Sequence, residues 1–134
     1  MSIVKIRAAQ ENELNSMTPS LATAWENSFY VPVDNVPYQA VFLMLADPNN
    51  YEYGANHQEL GYMQVSLKYP MQAGSEDAAE RAELLRDTFK RGHSMTNSGV
   101  TVTVNKTPSI SAGIIDGSRW VVHVKIFFYA NITA

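Results

Sequence analysis

The chain has 134 residues, 46% of them hydrophobic and 17% charged, with a formal net charge of −3 and no cysteine. That size and composition fit one globular domain able to bury its own core, while the missing cysteines exclude a disulfide framework and any thiolate metal site and accord with a reducing cytoplasm. The excess of acid argues against an open nucleic-acid-binding surface, which would present a basic face.

No basic segment followed by an apolar core opens the chain, so no secretory signal is expected. The longest fully apolar run, residues 40–46, is far short of the ~20 residues that a membrane-spanning helix needs. Asn131-Ile132-Thr133 fits the glycosylation triplet, which without export is a chance match. Residues 2–17 read as an amphipathic helix. Ile3, Ile6, Gln10, Leu14 and Met17 share one face, and Lys5, Arg7, Glu11 and Asn12 are left to water. Thr18-Pro19 ends it, because the residue before a proline is pushed out of the helical region. Residues 21–27, LATAWEN, form a short strand carrying Trp25, and Pro32, Asp34, Asn35 and Pro37 mark a loop over 29–37. Residues 39–46, QAVFLMLA, are apolar on both faces, as in a central strand or one whose outer face meets another subunit. The stretch 47–56, DPNNYEYGAN, is a polar loop. The cleanest strand follows over 58–69, with Met63, Val65, Leu67 and Tyr69 on one side and Gln64, Ser66 and Lys68 on the other.

Residues 75–92 form the helix around which the chain is organised. Ala78, Ala82, Leu85 and Phe89 recur at i, i+4, i+7 and i+11, drawing one apolar stripe. Ser75 can cap it, Glu76 and Asp77 suit the positive end of the dipole, Lys90 and Arg91 the other end, and Gly92 the left-handed stop. Asp77–Arg81 and Asp87–Arg91 are i,i+4 pairs on the wet side, each worth about 0.3–0.5 kcal/mol. Residues 94–99 read as a turn-rich connector, and Val100, Val102 and Val104 alternate with Thr101, Thr103 and Asn105 in a half-buried strand. Pro108 breaks or bends that ladder. Segments 109–115 and 119–130 flank Asp116-Gly117, a two-residue hairpin signal. In the last strand Trp120, Val122, Val124, Ile126 and Phe128 form one face; His123, Lys125, Phe127 and Tyr129 form the other, too apolar to be left in water. The order predicts an α+β fold: an antiparallel or mixed sheet with two main helices packed on one face, in a single domain over 1–134.

No nucleophile elbow, phosphate loop, dinucleotide fingerprint or His-Glu-x-x-His motif is present. His57 with Glu59 on one strand face supplies half a metal site at most, and a polar loop edge explains the pair better. His93 lies just past a helix C-terminus, where a cation is favourable, and His123 alternates with Lys125 on the outer strand face. Lys90, Arg91 and His93 make a small basic cluster without aromatic interleaving. The acids are scattered, so neither a catalytic pair nor a metal or cofactor site is nominated, and no enzyme activity is expected. The aromatic residues say more. Trp25, Phe29, Tyr30, Tyr51, Tyr53, Phe127 and Tyr129, with the two-faced run 40–46, exceed what one small core hides, and aromatic side chains are the usual anchors of subunit interfaces.

Several stretches, in order, resemble the tail terminator proteins of long-tailed bacteriophages and prophages. They are Ile6-Arg7-Ala8 with Leu14 and Met17-Thr18-Pro19, Thr23-Ala24-Trp25-Glu26-Asn27, and Pro37-Tyr38-Gln39 leading into the apolar strand. Gly61-Tyr62-Met63-Gln64-Val65 to Tyr69-Pro70, Ala79-Glu80-Arg81-Ala82-Glu83-Leu84, Gly99-Val100-Thr101-Val102 with Thr107-Pro108, and Phe128-Tyr129-Ala130-Asn131 complete the series. The resemblance covers almost the whole chain; loops 47–56 and 71–75 carry no matching pattern. It implies a structural virion protein, a homo-oligomeric ring usually of six subunits on the head-proximal end of the tail tube. Such a ring ends tube polymerisation and joins the tail to head-completion (neck) proteins. DNA would pass through its lumen without specific binding, which a modestly acidic chain suits. On that reading Trp25, Phe42, Met44, Phe127 and Tyr129 anchor neighbouring subunits, and Tyr51, Glu52 and Tyr53 meet tube or neck partners. Two other readings compete: a neck adaptor or tail-tube subunit of the same virion, and a small α+β ligand-binding domain or enzyme.

Overall fold

Two helices lie on one face of a mixed sheet in the structure, a computed structural model that describes every residue except 1, 18–20, 27, 29, 34–35, 51–55, 72–74 and 133–134. In chain order the elements are α1 (Ser2–Asn15), β1 (Ala22–Ala24), β2 (Tyr38–Leu45), β3 (His57–Pro70), α2 (Glu76–Thr88), β4 (Ser94–Asn97) and β5 (Val100–Val104). Three strands follow: β6 (Ser109–Ile110), β7 (Ile114–Asp116) and β8 (Arg119–Ile132). The α+β class and the placement of both helices on one face agree with the sequence reading.

The frame is the antiparallel pair β3–β8, in register from His57 opposite Ile132 to Pro70 opposite Arg119. Strand alternation then puts Met63 beside Ile126, Val65 beside Val124 and Leu67 beside Val122, all buried on one face. Phe128, Val102, Val104 and Met95 extend that face. The stripe Ala78, Ala82, Leu85 and Phe89 of α2 covers it over β3 and β8, while Ile6, Ala9, Leu14 and Met17 of α1 cover it over β4 and β5. The strand order is β1-β2-β3-β8-β5-β4, with only β1–β2 parallel along it; β6 and β7 pair with β8. Thus β7, β6 and β5 share the edge of β8 in series.

Several elements differ from their sequence reading. Residues 94–97 are a strand, because Ser98 (φ 50°) and Gly99 (φ 85°) make a tight left-handed turn that folds β4 onto β5. Polar neighbours hide that strand in the sequence, since only Met95 points into the core. Segment 109–115 is split into β6 and β7, with Gly113 between them; a Cβ at Gly113 would fall 1.9 Å from the Trp120 ring. The hairpin turn falls on Gly117-Ser118, with Asp116 opposite Arg119, one residue later than the Asp-Gly signal suggests. The strand over 21–27 is confined to β1, and Trp25 lies beyond its end.

Three details of α2 also change. Ser75 makes no side-chain cap bond, although its carbonyl accepts the Ala79 N–H at 3.1 Å. The helix ends at Thr88, so Arg91 is not at helical spacing from Asp87 and that ion pair does not form; Gly92 (φ 89°) instead serves the turn beyond. Arg81 is buried, not on the wet side, beside Tyr69. Burial lowers the Arg81 pKa and raises that of the Tyr69 phenol. The expected stop at Thr18-Pro19 lies outside the described residues.

Candidate assembly surface

Because side chains alternate along a strand, burying Met63, Val65 and Leu67 sends Tyr62, Gln64, Ser66 and Lys68 to the opposite face. β8 adds Phe127, Lys125 and His123 there, and β2 adds Phe42 and Met44. Among the described residues no helix covers this face.

Its apolar centre is one cross-strand row. Met44 stands opposite Tyr62, which stands opposite Phe127. The Tyr62 and Phe127 rings are 5.4 Å apart and tilted by 52°. Lys106 lies over Phe127, with Nζ 3.9 Å from the ring centroid, and Lys125 over Tyr62 at 5.2 Å. These cation–π contacts hold two ammonium groups at the rim of an otherwise apolar patch. In the adjacent rows Phe42 faces Gln64, and Tyr129 lies between Leu60 and Thr103. Phe42 and Met44 are 38% and 47% exposed, large values for apolar side chains within a strand. Tyr62 and Lys106 were not singled out in the sequence; Tyr62 shares the parity of Gln64 and Ser66, which is the signal that finds it.

Towards β7 the face turns polar. Ser66 Oγ is 2.8 Å from His123 Nδ1, and the Gln64 amide is 3.3 Å from both groups. The His123 N–H donates to Ser111 Oγ at 2.9 Å, and the Ser111 N–H donates to the His123 carbonyl at 2.9 Å. This serine–histidine contact ties β8 to its neighbours. Ser66 is only 2% exposed, so its hydroxyl is shut away from a substrate. Further on, Lys68 reaches Asp116 at 3.9 Å. Arg119 covers the Tyr38 ring at 4.9 Å and donates to the carbonyls of Val36 (2.5 Å) and Val33 (2.7 Å).

The edge of β2 is the second feature. β1 pairs with it at Tyr38–Ala40, and among the described residues no strand pairs with its outer side from Val41 onward. There the Leu43 N–H donates to the Glu26 carboxylate, which Arg7 holds at 3.1 Å. Burial raises the pKa of the adjoining Glu11, against the lowering effect of Arg7. Trp25 sits half-buried beside this cluster on the helix side, packed against the core. The structure thus brings Phe42, Met44, Phe127 and Tyr129 onto one face and keeps Trp25 apart from them. Tyr51, Glu52 and Tyr53 lie outside the described residues.

The other histidines are held by carboxylates. His57 Nε2 is 2.9 Å from Glu59 Oε1, and no cluster of three or more metal-ligating side chains occurs among the described residues. His93 Nε2 is 2.6 Å from Glu13 Oε1, which ties the turn after α2 to α1 in place of the expected helix-end role.

The family model described as phage tail terminator protein matches residues 5–128. The chain belongs to the phage tail terminator family. A solved structure with which this tail terminator shares 26% sequence identity superposes with a TM-score of 0.80, covering 100% of this chain and 98% of that one. No curated protein matches it. Membership makes the tail terminator a structural phage protein of the virion tail, associated with the tail tube.

Proposed function

We propose that this tail terminator closes into a ring, of six subunits as is usual for the family, that caps the head-proximal end of the tail tube. The ring ends tube polymerisation and presents its other side to head-completion proteins, and DNA crosses the lumen without specific binding. One observation carries the reading: the row Met44–Tyr62–Phe127, flanked by Phe42 and Tyr129, lies on a sheet face that no helix covers among the described residues. Aromatic and Met side chains on such a face gain by desolvation against a neighbour, at about 25 cal/mol per Å2 of apolar area removed from water. A cyclic contact between unlike patches also occupies exposed strand edges such as that of β2. Phe42, Met44, Phe127 and Tyr129 are the anchors on this face, and Trp25 is an anchor at the β2 edge. Tyr51, Glu52 and Tyr53 meet tube or neck partners.

The test is light scattering on the purified chain, alone and with tail tube protein. A ring-sized species, or a monomer that becomes one on the tube and fixes tube length, supports the reading. The double change Phe127→Asp with Tyr129→Asp then abolishes the ring; an intact ring would sink the anchor assignment.

A further inference from the structure

The uncovered sheet face is basic as well as aromatic. Lys68, Lys106 and Lys125 stand along it, and among the described residues neither Lys106 nor Lys125 has a carboxylate within ion-pair distance. Among the described residues the one carboxylate near Lys68 is that of the largely exposed Asp116, at 3.9 Å. The opposite side of the subunit carries the reverse charge. With Ala78, Ala82 and Leu85 turned inward, α2 presents Glu76, Glu80, Glu83 and Asp87 at i, i+4, i+7 and i+11, all exposed, with Asp77 beside them. These are five of the chain's 13 acidic residues. Neither arginine of the helix lies among them: Arg81 is buried, and Arg86 is half-buried and donates to the Pro108 carbonyl at 3.1 Å.

We propose that the open sheet face of one subunit receives the acidic outer stripe of α2 from a second copy of the chain. The inference rests on the ring reading above and names the contact that closes it. The dimensions agree. The acids from Glu76 to Asp87 span eleven helical rises, roughly 16 Å. The lysines run from the row of Lys68 to the row of Tyr62, over which Lys106 and Lys125 are held; that is six strand residues, roughly 20 Å. Ala79, exposed within the stripe, lets the helix approach the Met44–Tyr62–Phe127 row closely. The two surfaces lie on opposite sides of one subunit, so their contact is heterologous, the kind that makes a ring when the rotation from copy to copy closes. Like charge on each surface opposes sheet-to-sheet and helix-to-helix dimers. The contact also covers the lysines, which removes from the lumen cations that would hold phosphate.

The experiment is a charge exchange in the full chain, with assembly on tail tube protein followed by light scattering at low and high salt. Glu80→Lys with Glu83→Lys, and separately Lys106→Glu with Lys125→Glu, each weaken ring formation roughly tenfold or more at low salt. All four changes together restore it, which also shows that the exchanged side chains do not prevent folding. If the helix pair leaves assembly unchanged while the lysine pair lowers retention of DNA in the ring, the face lines the channel and the proposal is overturned. Absence of a ring from the unmodified chain on its tube would overturn the ring reading itself, a separate result.

Discussion

Gly61 pairs with Leu45 of β2, and a Cβ built on it would lie 2.2 Å from the Met44 carbonyl oxygen. Backbone cannot give way as a side-chain tip can, so Gly61→Ala should cost about 1–3 kcal/mol, read as a lower urea midpoint. Its second effect should be to displace Met44 and weaken ring formation. Glu11 makes a different prediction. Its carboxyl is raised by burial, so its charged form is penalised in the folded state. That penalty is complete above the raised folded pKa, shrinks as pH falls through it and is absent below the unfolded value near 4.5. Glu11→Gln should therefore raise the melting temperature at neutral pH, and the gain should fade on acidification; a constant gain across pH would contradict this cause. Little of this residue chemistry was legible in the sequence. Glu26 at the Leu43 N–H, Glu13 at His93 and the inward turn of Arg81 all depend on partners between 12 and 80 positions away, or on which side of a helix meets the sheet.

Among the secondary-structure elements, strong periods are legible in the sequence and weak ones are not. β3, β8 and α2 each carry one unbroken apolar alternation or stripe; β3 and β8 form where expected, and α2 does so up to Thr88. β4 and β7 have too few core-facing residues to show a period, since Met95 is the one buried residue of β4 and β7 has none. Their pairing comes from β8, whose 14 residues offer an edge long enough for three short strands. The core beneath should respond accordingly: Phe128→Ala, at a fully buried position of β8, should cost about 3–5 kcal/mol in chemical denaturation. At the β2 edge, Glu26→Ala frees the Leu43 N–H and releases Arg7. It should cost about 1 kcal/mol and increase concentration-dependent self-association, because an unplugged strand edge pairs with other chains. Sedimentation across a concentration series reads the second effect.

For the whole molecule, the informative asymmetry is that one sheet face is covered by both helices and the other by neither. The sequence already carried this as the apolar second faces of 39–46 and 119–130, because alternation assigns a face whether or not anything in the same chain covers it. It did not carry the position of Trp25, which the chain path after β1 takes to the helix side. Family membership places the protein in the phage tail, and the open face gives a physical reason for it to assemble there. The most direct measurement is the mass of the complex formed when the purified chain meets tail tube protein, by light scattering with electron microscopy of the tube ends. The expected product is a discrete ring at one end of tubes of fixed length, lost in the Phe127→Asp, Tyr129→Asp variant. A chain that stays monomeric beside tubes of unrestricted length would contradict it.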